Sequence, residues 1–221
     1  MRQFPALDTR FGLLLLVILL LCSCVSKPRV INLDAPFNGF DPRVISDDSN
    51  SQIERLIFNA LTRIDAEGCP IPDLAESFAV TPDQTTHTFR LRKGVRFHND
   101  RRLTSLDVKY TFETMFALEV EERKRILLTG LQLRIEVPDA HTVIFRCGHQ
   151  CANLPSEVSA IGIIPEGSSS LLATNPNGTG PFRFERRIND IEFSLARYDG
   201  YFGPHPTEDR LLVRIRSSGR N

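Results

Sequence analysis

Five residues at the end of a strand-like run, Cys147-Gly148-His149-Gln150-Cys151, have types and spacing that could do chemistry. Two thiols four residues apart can close a local disulfide, stay free, or join an imidazole around a metal ion. A zinc centre usually takes four ligands, and no second Cys-x-x-Cys or His-x-x-x-His cluster in the sequence supplies the rest. A disulfide or free thiols is therefore the expectation, and no metal site is assigned. The acidic pairs Asp47-Asp48 and Glu121-Glu122 lie in polar stretches. Paired carboxylates do acid–base work only where their surroundings push their pKa values apart, and nothing in these stretches does so. Neither a Gly-x-Ser-x-Gly elbow nor a His-Glu-x-x-His helix occurs. No catalytic residue and no cofactor is assigned, and the expectation is a protein that is not an enzyme. His98, alone between Phe97 and Asn99, reads as a packing or turn histidine. Gly178 and Gly180 fit no phosphate-binding pattern; they are expected to supply backbone angles that other residues avoid.

The N-terminus carries an address. Phe11 to Cys22 is almost wholly apolar, follows Arg2 and Arg10, and is too short to cross a bilayer core of about 30 Å as a helix. That suits the apolar core of a signal peptide. The run ends in Leu21-Cys22-Ser23-Cys24, which resembles a bacterial lipobox. The resemblance implies a signal peptide over 1–24, a diacylglycerol on the Cys24 thiol, a linker over 25–28, and a chain tethered to a membrane surface in the cell envelope. Disulfides are allowed there. Cys69, Cys147 and Cys151 then remain, and an odd count leaves at least one thiol unpaired within the chain.

The elements that must position any site follow from periodicity. Arg29 to Leu33 is a short β-rich run, and the loop after it, through Asn38-Gly39 and Asp41-Pro42, is rich in turn signals. Ser51-x-x-Glu54 opens a helix with Ile53, Leu56, Ile57, Ala60 and Leu61 on one face, ending near Leu61. A hairpin turn is expected over 64–68, with Pro70 and Pro72 confining any strand to an edge. Phe89 and Leu91 alternate with Thr88, Arg90 and Arg92 as in a half-buried strand. Lys93-Gly94 breaks that strand, and Thr104-x-x-Asp107 caps a helix whose apolar face is Val108, Phe112, Met115 and Phe116. Charged residues 119–124 read as a solvated helical surface. Leu131 to Val137 and Val143 to Cys147 form a hairpin turning at Pro138-Asp139, and a second hairpin turns at Asn189-Asp190. Leu211, Val213 and Ile215 make a last strand. Lys+Arg and Asp+Glu both number 27, so the net charge is zero and there is no electrostatic case for nucleic acid.

Two windows resemble the extracellular solute-binding proteins of family 5, the receptors of peptide, nickel and related ABC importers. Leu91-Arg92-Lys93-Gly94-Val95-Arg96-Phe97-His98 with Leu103-Thr104-Ser105-Leu106-Asp107-Val108 matches the family's strand, "RkGVkFh" segment and "DV" helix. Gly178-Thr179-Gly180-Pro181-Phe182 matches its second signature. The resemblance runs from Val30 to about Arg216. It implies a mixed α/β fold: the first lobe of a type 2 periplasmic-binding-protein-like fold over 29–221, with an inserted α+β subdomain over about 45–175 and the second lobe absent. By position in the loop after the first strand, Ala35, Phe37, Asn38, Gly39 and Phe40 are the ligand-facing candidates. The implied partners are a peptide or other small solute, an ABC importer permease and a lipid anchor. The implied function is capture of peptides for transmembrane transport by a chain truncated before the second lobe. The alternative is a lipid-anchored single-lobe interaction module or a non-functional gene remnant.

Overall fold

The computed structural model describes residues 28–34, 37, 39–44, 48–118, 128 and 130–215. Cys24, Ala35, Asn38, Asp47 and the charged stretch 119–124 lie outside the described residues. The strands are β1 (Arg29–Leu33), β2 (Thr62–Ile64), β3 (Pro70–Pro72), β4 (Ala75–Val80), β5 (Thr86–Leu91), β6 (Arg134–Asp139), β7 (Thr142–Arg146), β8 (Phe182–Asn189), β9 (Glu192–Arg197) and β10 (Arg210–Ile215). The helices are α1 (Asp48–Ile57), α2 (Ser105–Ala117) and the short α3 (Leu154–Glu157).

Alternation builds the first sheet, ordered β1-β10-β9-β8. Its register sets Leu211 opposite Leu195 and Val213 opposite Phe193, so one apolar face runs across β10 and β9. β1 lies parallel to β10, and the other pairs are antiparallel. Ile53 and Ile57 of α1, and Phe58 just beyond its end, are buried with that face. The second sheet, ordered β4-β5-β7-β6, has the expected strand β5 next to its centre. Phe89 pairs with Phe78 on one side and Val143 on the other. α2 covers this face, with the Phe112 ring edge-on to Phe145 at 5.0 Å. β2 and β3 form the expected small hairpin.

These two sheets have separate cores, and the chain visits them in a nested order. The first core takes residues up to Phe58 and again from Ile164 onward. The second holds Leu61 through Ile163. The chain crosses between cores twice, at 58–61 and at 163–164.

The first crossing explains a departure from the sequence expectation. α1 starts at Asp48, ahead of Ser51, and ends at Ile57, so Ala60 and Leu61 are buried outside the helix. The Gly178–Pro181 loop closes on the end of the helix: Gly180 N–H donates to the Ile57 carbonyl at 2.8 Å. A Cβ on Gly178 would stand 1.9 Å from that carbonyl oxygen, and one on Gly180 2.5 Å from the Leu56 oxygen. Neither glycine has a positive φ. They are glycines because the loop touches helix backbone, which corrects the expectation that unusual backbone angles require them. The hairpin turn after β6 also moves, from Pro138-Asp139 to Ala140-His141. β6 runs on through a bulge so that Asp139 pairs with Thr142, and the Asp139 carboxylate accepts the His141 N–H at 2.7 Å.

Two expected polar devices join these parts. The capping carboxylate of Asp107 accepts the Thr104 N–H at 2.8 Å. Fully buried, it also pairs with Arg101 and accepts the Glu166 N–H at 2.9 Å, which ties α2 to the segment returning to the first core. His98 joins the two signature windows. Its Nδ1 accepts the Gly178 N–H at 3.3 Å, and its Nε2–H donates to the Gly180 carbonyl at 3.0 Å. That pattern requires the neutral imidazole. Burial, helped by the nearby Arg183 charge, pushes its pKa down to about 4.

Two outcomes follow. Gly178→Ala drives a methyl into the Ile57 carbonyl and should lower stability by about 2 kcal/mol or more, read from the urea midpoint. For His98 the folded pKa lies below the unfolded value, so the unfolded chain takes up the proton first as pH falls. Its stabilisation is complete above about pH 6.5 and is lost towards pH 4, amounting to up to about 3 kcal/mol. Urea titrations at pH 7.5 and 4.5 should show a loss in the native protein that shrinks in His98→Gln.

Candidate ligand-binding loop

β1 and β10 are parallel, so both run towards the same end of the first sheet. Open α/β sheets hold ligands beyond the carboxyl ends of such strands. The segment leaving β1 there is the loop of the ligand-facing candidates. Two anchors of different kind hold it.

The first anchor is aromatic. The Phe37 and Phe40 rings meet edge-to-face at 4.7 Å, and Phe40 lies 5.2 Å from Phe184 on β8 and 5.1 Å from Phe193 on β9. Phe40 is buried and Phe37 half-buried. Such pairs add about 0.5–1.5 kcal/mol each beyond the area they bury. Between them the chain turns at Gly39, with φ at +112°, a conformation L side chains rarely adopt.

The second anchor is ionic. The Arg43 guanidinium grips Asp41 with Nε at 2.8 Å and Nη2 at 2.6 Å. Its Nη1 donates to Thr114 Oγ1 at 2.7 Å on α2 and to Ser169 Oγ at 2.8 Å. Tyr110 and Ser169 hydroxyls meet at 2.8 Å beside it. The Arg43 side chain is 2% exposed, so its charge is satisfied within the fold. The fork joins the loop to α2, which belongs to the second core.

With both phenylalanine rings against the sheet, main-chain N–H and C=O groups are what Phe37 and Phe40 can offer a ligand. Added main-chain bonds are how a sheet edge takes up an extended peptide. Of the five expected residues, Phe37, Gly39 and Phe40 are thus placed together at the end of β1. Sequence reasoning passed over Arg43, since a single arginine after a proline carries no pattern.

Two cavities accompany the loop. One, of about 460 Å³, lies between the cores. In it Asn59 Nδ2 donates to both Asp73 carboxylate oxygens, at 3.2 and 3.1 Å. Burial pushes the Asp73 carboxyl up from its ordinary value. Arg92 Nε donates to the Asp73 main-chain carbonyl at 2.6 Å while its guanidinium lies over the Phe202 ring. The other cavity, of about 560 Å³, is lined by His98, Arg101, Arg183 and Phe184 among others. Asp48, of the acidic pairs, is exposed in the first turn of α1. Cys147 and Cys151 form a disulfide, and Cys69 is free and exposed. Among the described residues, three side chains of metal-ligating type stand together, His87 on β5 and Cys147 and Cys151 in the segment after β7. No described helix is long and apolar enough to cross a membrane.

Comparison with known proteins places this geometry. Residues 70–220 match the profile of the bacterial extracellular solute-binding proteins, family 5 middle region. Di/tripeptide-binding protein 1 of Pseudomonas aeruginosa is 31% identical over 209 residues, which cover 81% of this chain and 39% of that protein. Di/tripeptide-binding protein 2 of the same organism is 29% identical, over 96% of this chain and 46% of its own length. The crystal structure of the oligopeptide-binding protein AppA from Bacillus subtilis, in complex with a nonapeptide, superposes with a TM-score of 0.76 at 21% identity, over 86% of this chain and 41% of that one. The likeness shows the fold: mixed α/β, of the periplasmic-binding-protein kind, over a share that fits a single lobe. The chain spans between about two fifths and one half of the length of these relatives.

Replacing Arg43 by Met leaves Asp41 without its partner and the Thr114 hydroxyl without a donor. The expected cost is about 2–3 kcal/mol, below that of a fully buried pair because the Asp41 side chain keeps 28% of its exposure. Amide hydrogen exchange should then speed up at residues 39–44 more than in β9 or β10.

Proposed function

The chain belongs to the bacterial extracellular solute-binding proteins of family 5, and from that premise we propose that it captures short peptides for an ABC importer. The observation that carries this reading is the loop after β1, turned at Gly39 and anchored on both sides by the phenylalanine cluster and the Arg43 fork. Anchors at Phe37, Phe40 and Arg43 leave main-chain groups to meet a ligand, and main chain pairs with a peptide of any sequence. The relatives named above as di/tripeptide-binding proteins support peptides as the solute class. The ligand-facing residues are Ala35, Phe37, Asn38, Gly39 and Phe40. They form one wall of a cleft whose other wall comes from a second lobe, and the permease receives the closed complex. The second core, Leu61 to Ile163, falls within the inserted subdomain, which we assign to about 45–175. Residues 1–24 are the lipoprotein signal segment, cleaved ahead of Cys24, and Cys24 carries the lipid that keeps the protein at the membrane surface of the cell envelope. The relatives are solute-binding proteins, and no residue here is assigned a catalytic role.

Calorimetric titration with a panel of di- and tripeptides tests the reading. Binding of at least one peptide is expected, weakened about tenfold by Gly39→Val, because the strain of that φ in an L residue is of the order of 1–2 kcal/mol. An unchanged circular dichroism spectrum would separate this from unfolding. No heat with any peptide at millimolar concentration would contradict the proposal. Metabolic labelling with radioactive palmitate, expected in the native chain and lost in Cys24→Ser, tests the anchor separately.

A further inference from the structure

His87 sits on the inward face of β5, opposite Phe145 of β7, and is fully buried. Packing alone does not call for an imidazole there, because burying its polar nitrogens costs free energy unless they are bonded. Its Nε2 faces sulfur: Cys151 Sγ lies 3.3 Å away. Among the described residues Nδ1 has no hydrogen-bond partner. Cys147 completes the group, and the three ligand atoms all lie within 4.8 Å of one another. We propose that, once the Cys147–Cys151 disulfide is reduced, His87 Nε2 and the two thiolates form a binding site for Zn²⁺.

The geometry fits this ion without moving the backbone. A tetrahedral Zn²⁺ with Zn–S of about 2.3 Å and Zn–N of about 2.0 Å sets sulfur and nitrogen about 3.5 Å apart, close to the spacing found. It sets two sulfurs about 3.8 Å apart. Cysteines whose Cα atoms are 6.4 Å apart reach that spacing by side-chain rotation. The loop is held by main chain independently of the sulfurs: Cys147 N–H donates to the Thr85 carbonyl at 2.8 Å and Cys151 N–H to the Gln84 carbonyl at 2.9 Å. Opening the disulfide therefore leaves the loop main chain where it is while the two sulfurs rotate apart. Cys151 is 5% exposed and Cys147 half-buried, so a water molecule reaches the fourth position from the Cys147 side.

The redox step is thiol–disulfide exchange with a dithiol reductant. One thiolate of the dithiol attacks Cys147 Sγ, the more accessible sulfur, and forms a mixed disulfide while Cys151 leaves as thiolate. The second thiol of the reductant displaces Cys147 and becomes the oxidised disulfide. Two electrons and two protons pass to the protein, and both protons are released when Zn²⁺ binds. Disulfide and metal site exclude each other. The sequence pattern lacked the third ligand because His87 lies far from the cysteine pair in the chain and is brought to it only by the β5–β7 pairing.

The test uses the full chain with Cys22→Ser, Cys24→Ser and Cys69→Ser to remove competing thiols. Zn²⁺ is titrated against a chromophoric chelator, before and after reduction with a phosphine. The reduced protein should bind one Zn²⁺ per chain and the oxidised protein none. His87→Ala should weaken binding by about tenfold or more, the loss of a direct ligand being at least that of an outer-shell partner. Co²⁺ in place of Zn²⁺ should show thiolate charge-transfer absorption. Because His87 is a core residue, Cys147→Ser, at a half-buried loop position, serves as the second variant and should abolish both signals. The proposal is overturned if the reduced protein binds Zn²⁺ no better than the Cys147→Ser variant. It is equally overturned if folded His87→Ala binds as tightly as the parent, which would leave a two-thiol chelate.

Discussion

The fold depends on one close approach, between the loop Gly178–Pro181 and the end of α1. At that point the chain passes from the first core to the second, and three segments distant in sequence meet. Gly180 closes the last carbonyl of the helix, and Thr179 and Asn59 hydrogen-bond at 3.2 Å. His98 reaches across from the other signature window to bond Gly178 and Gly180. No residue with a Cβ can replace either glycine without moving helix backbone. The hydrogen bonds there are made inside the fold, where an unmet donor or acceptor costs more than a met one gains. The crossing is therefore both a packing constraint and a polar one, and it fixes how the two cores sit against each other.

The ligand loop uses that fixed relation. Its aromatic anchor belongs to the first core, while the Arg43 fork reaches α2 of the second. Neither anchor alone would hold a loop containing Gly39 in one path, since glycine gives up the most backbone freedom on ordering. Together they hold Phe37 and residues 39–44 against both cores. Preformed main chain lowers the ordering cost of binding, which is what the proposed capture of peptides calls for.

Much of this was legible in the sequence. Alternation at Phe89-Leu91 and Leu211-Val213 identified strands that the structure contains, and Thr104-x-x-Asp107 marked where α2 begins. The signature windows identified the family. What failed to show was whatever depends on contacts between distant segments. The end of α1 is set by a loop more than a hundred residues later, so apolar spacing at Ala60 and Leu61 ran past it. The turn after β6 moved because a bulge shifts register by contacts that local turn chemistry does not encode. Arg43, the Asn59–Asp73 pair and the approach of His87 to the cysteines are tertiary facts with no local pattern.

The central claim is that the main chain following β1 is what meets the ligand. The most direct measurement is a nuclear magnetic resonance titration of the ¹⁵N-labelled chain with a tripeptide, following backbone amide shifts residue by residue. The account predicts that the largest saturable shifts fall at residues 34–41, with smaller ones along β10 and little change in β4 to β7. Saturable shifts centred on the cavity around Asn59 and Asp73, or on the one around His98 and Arg183, with residues 34–41 unmoved, would contradict it.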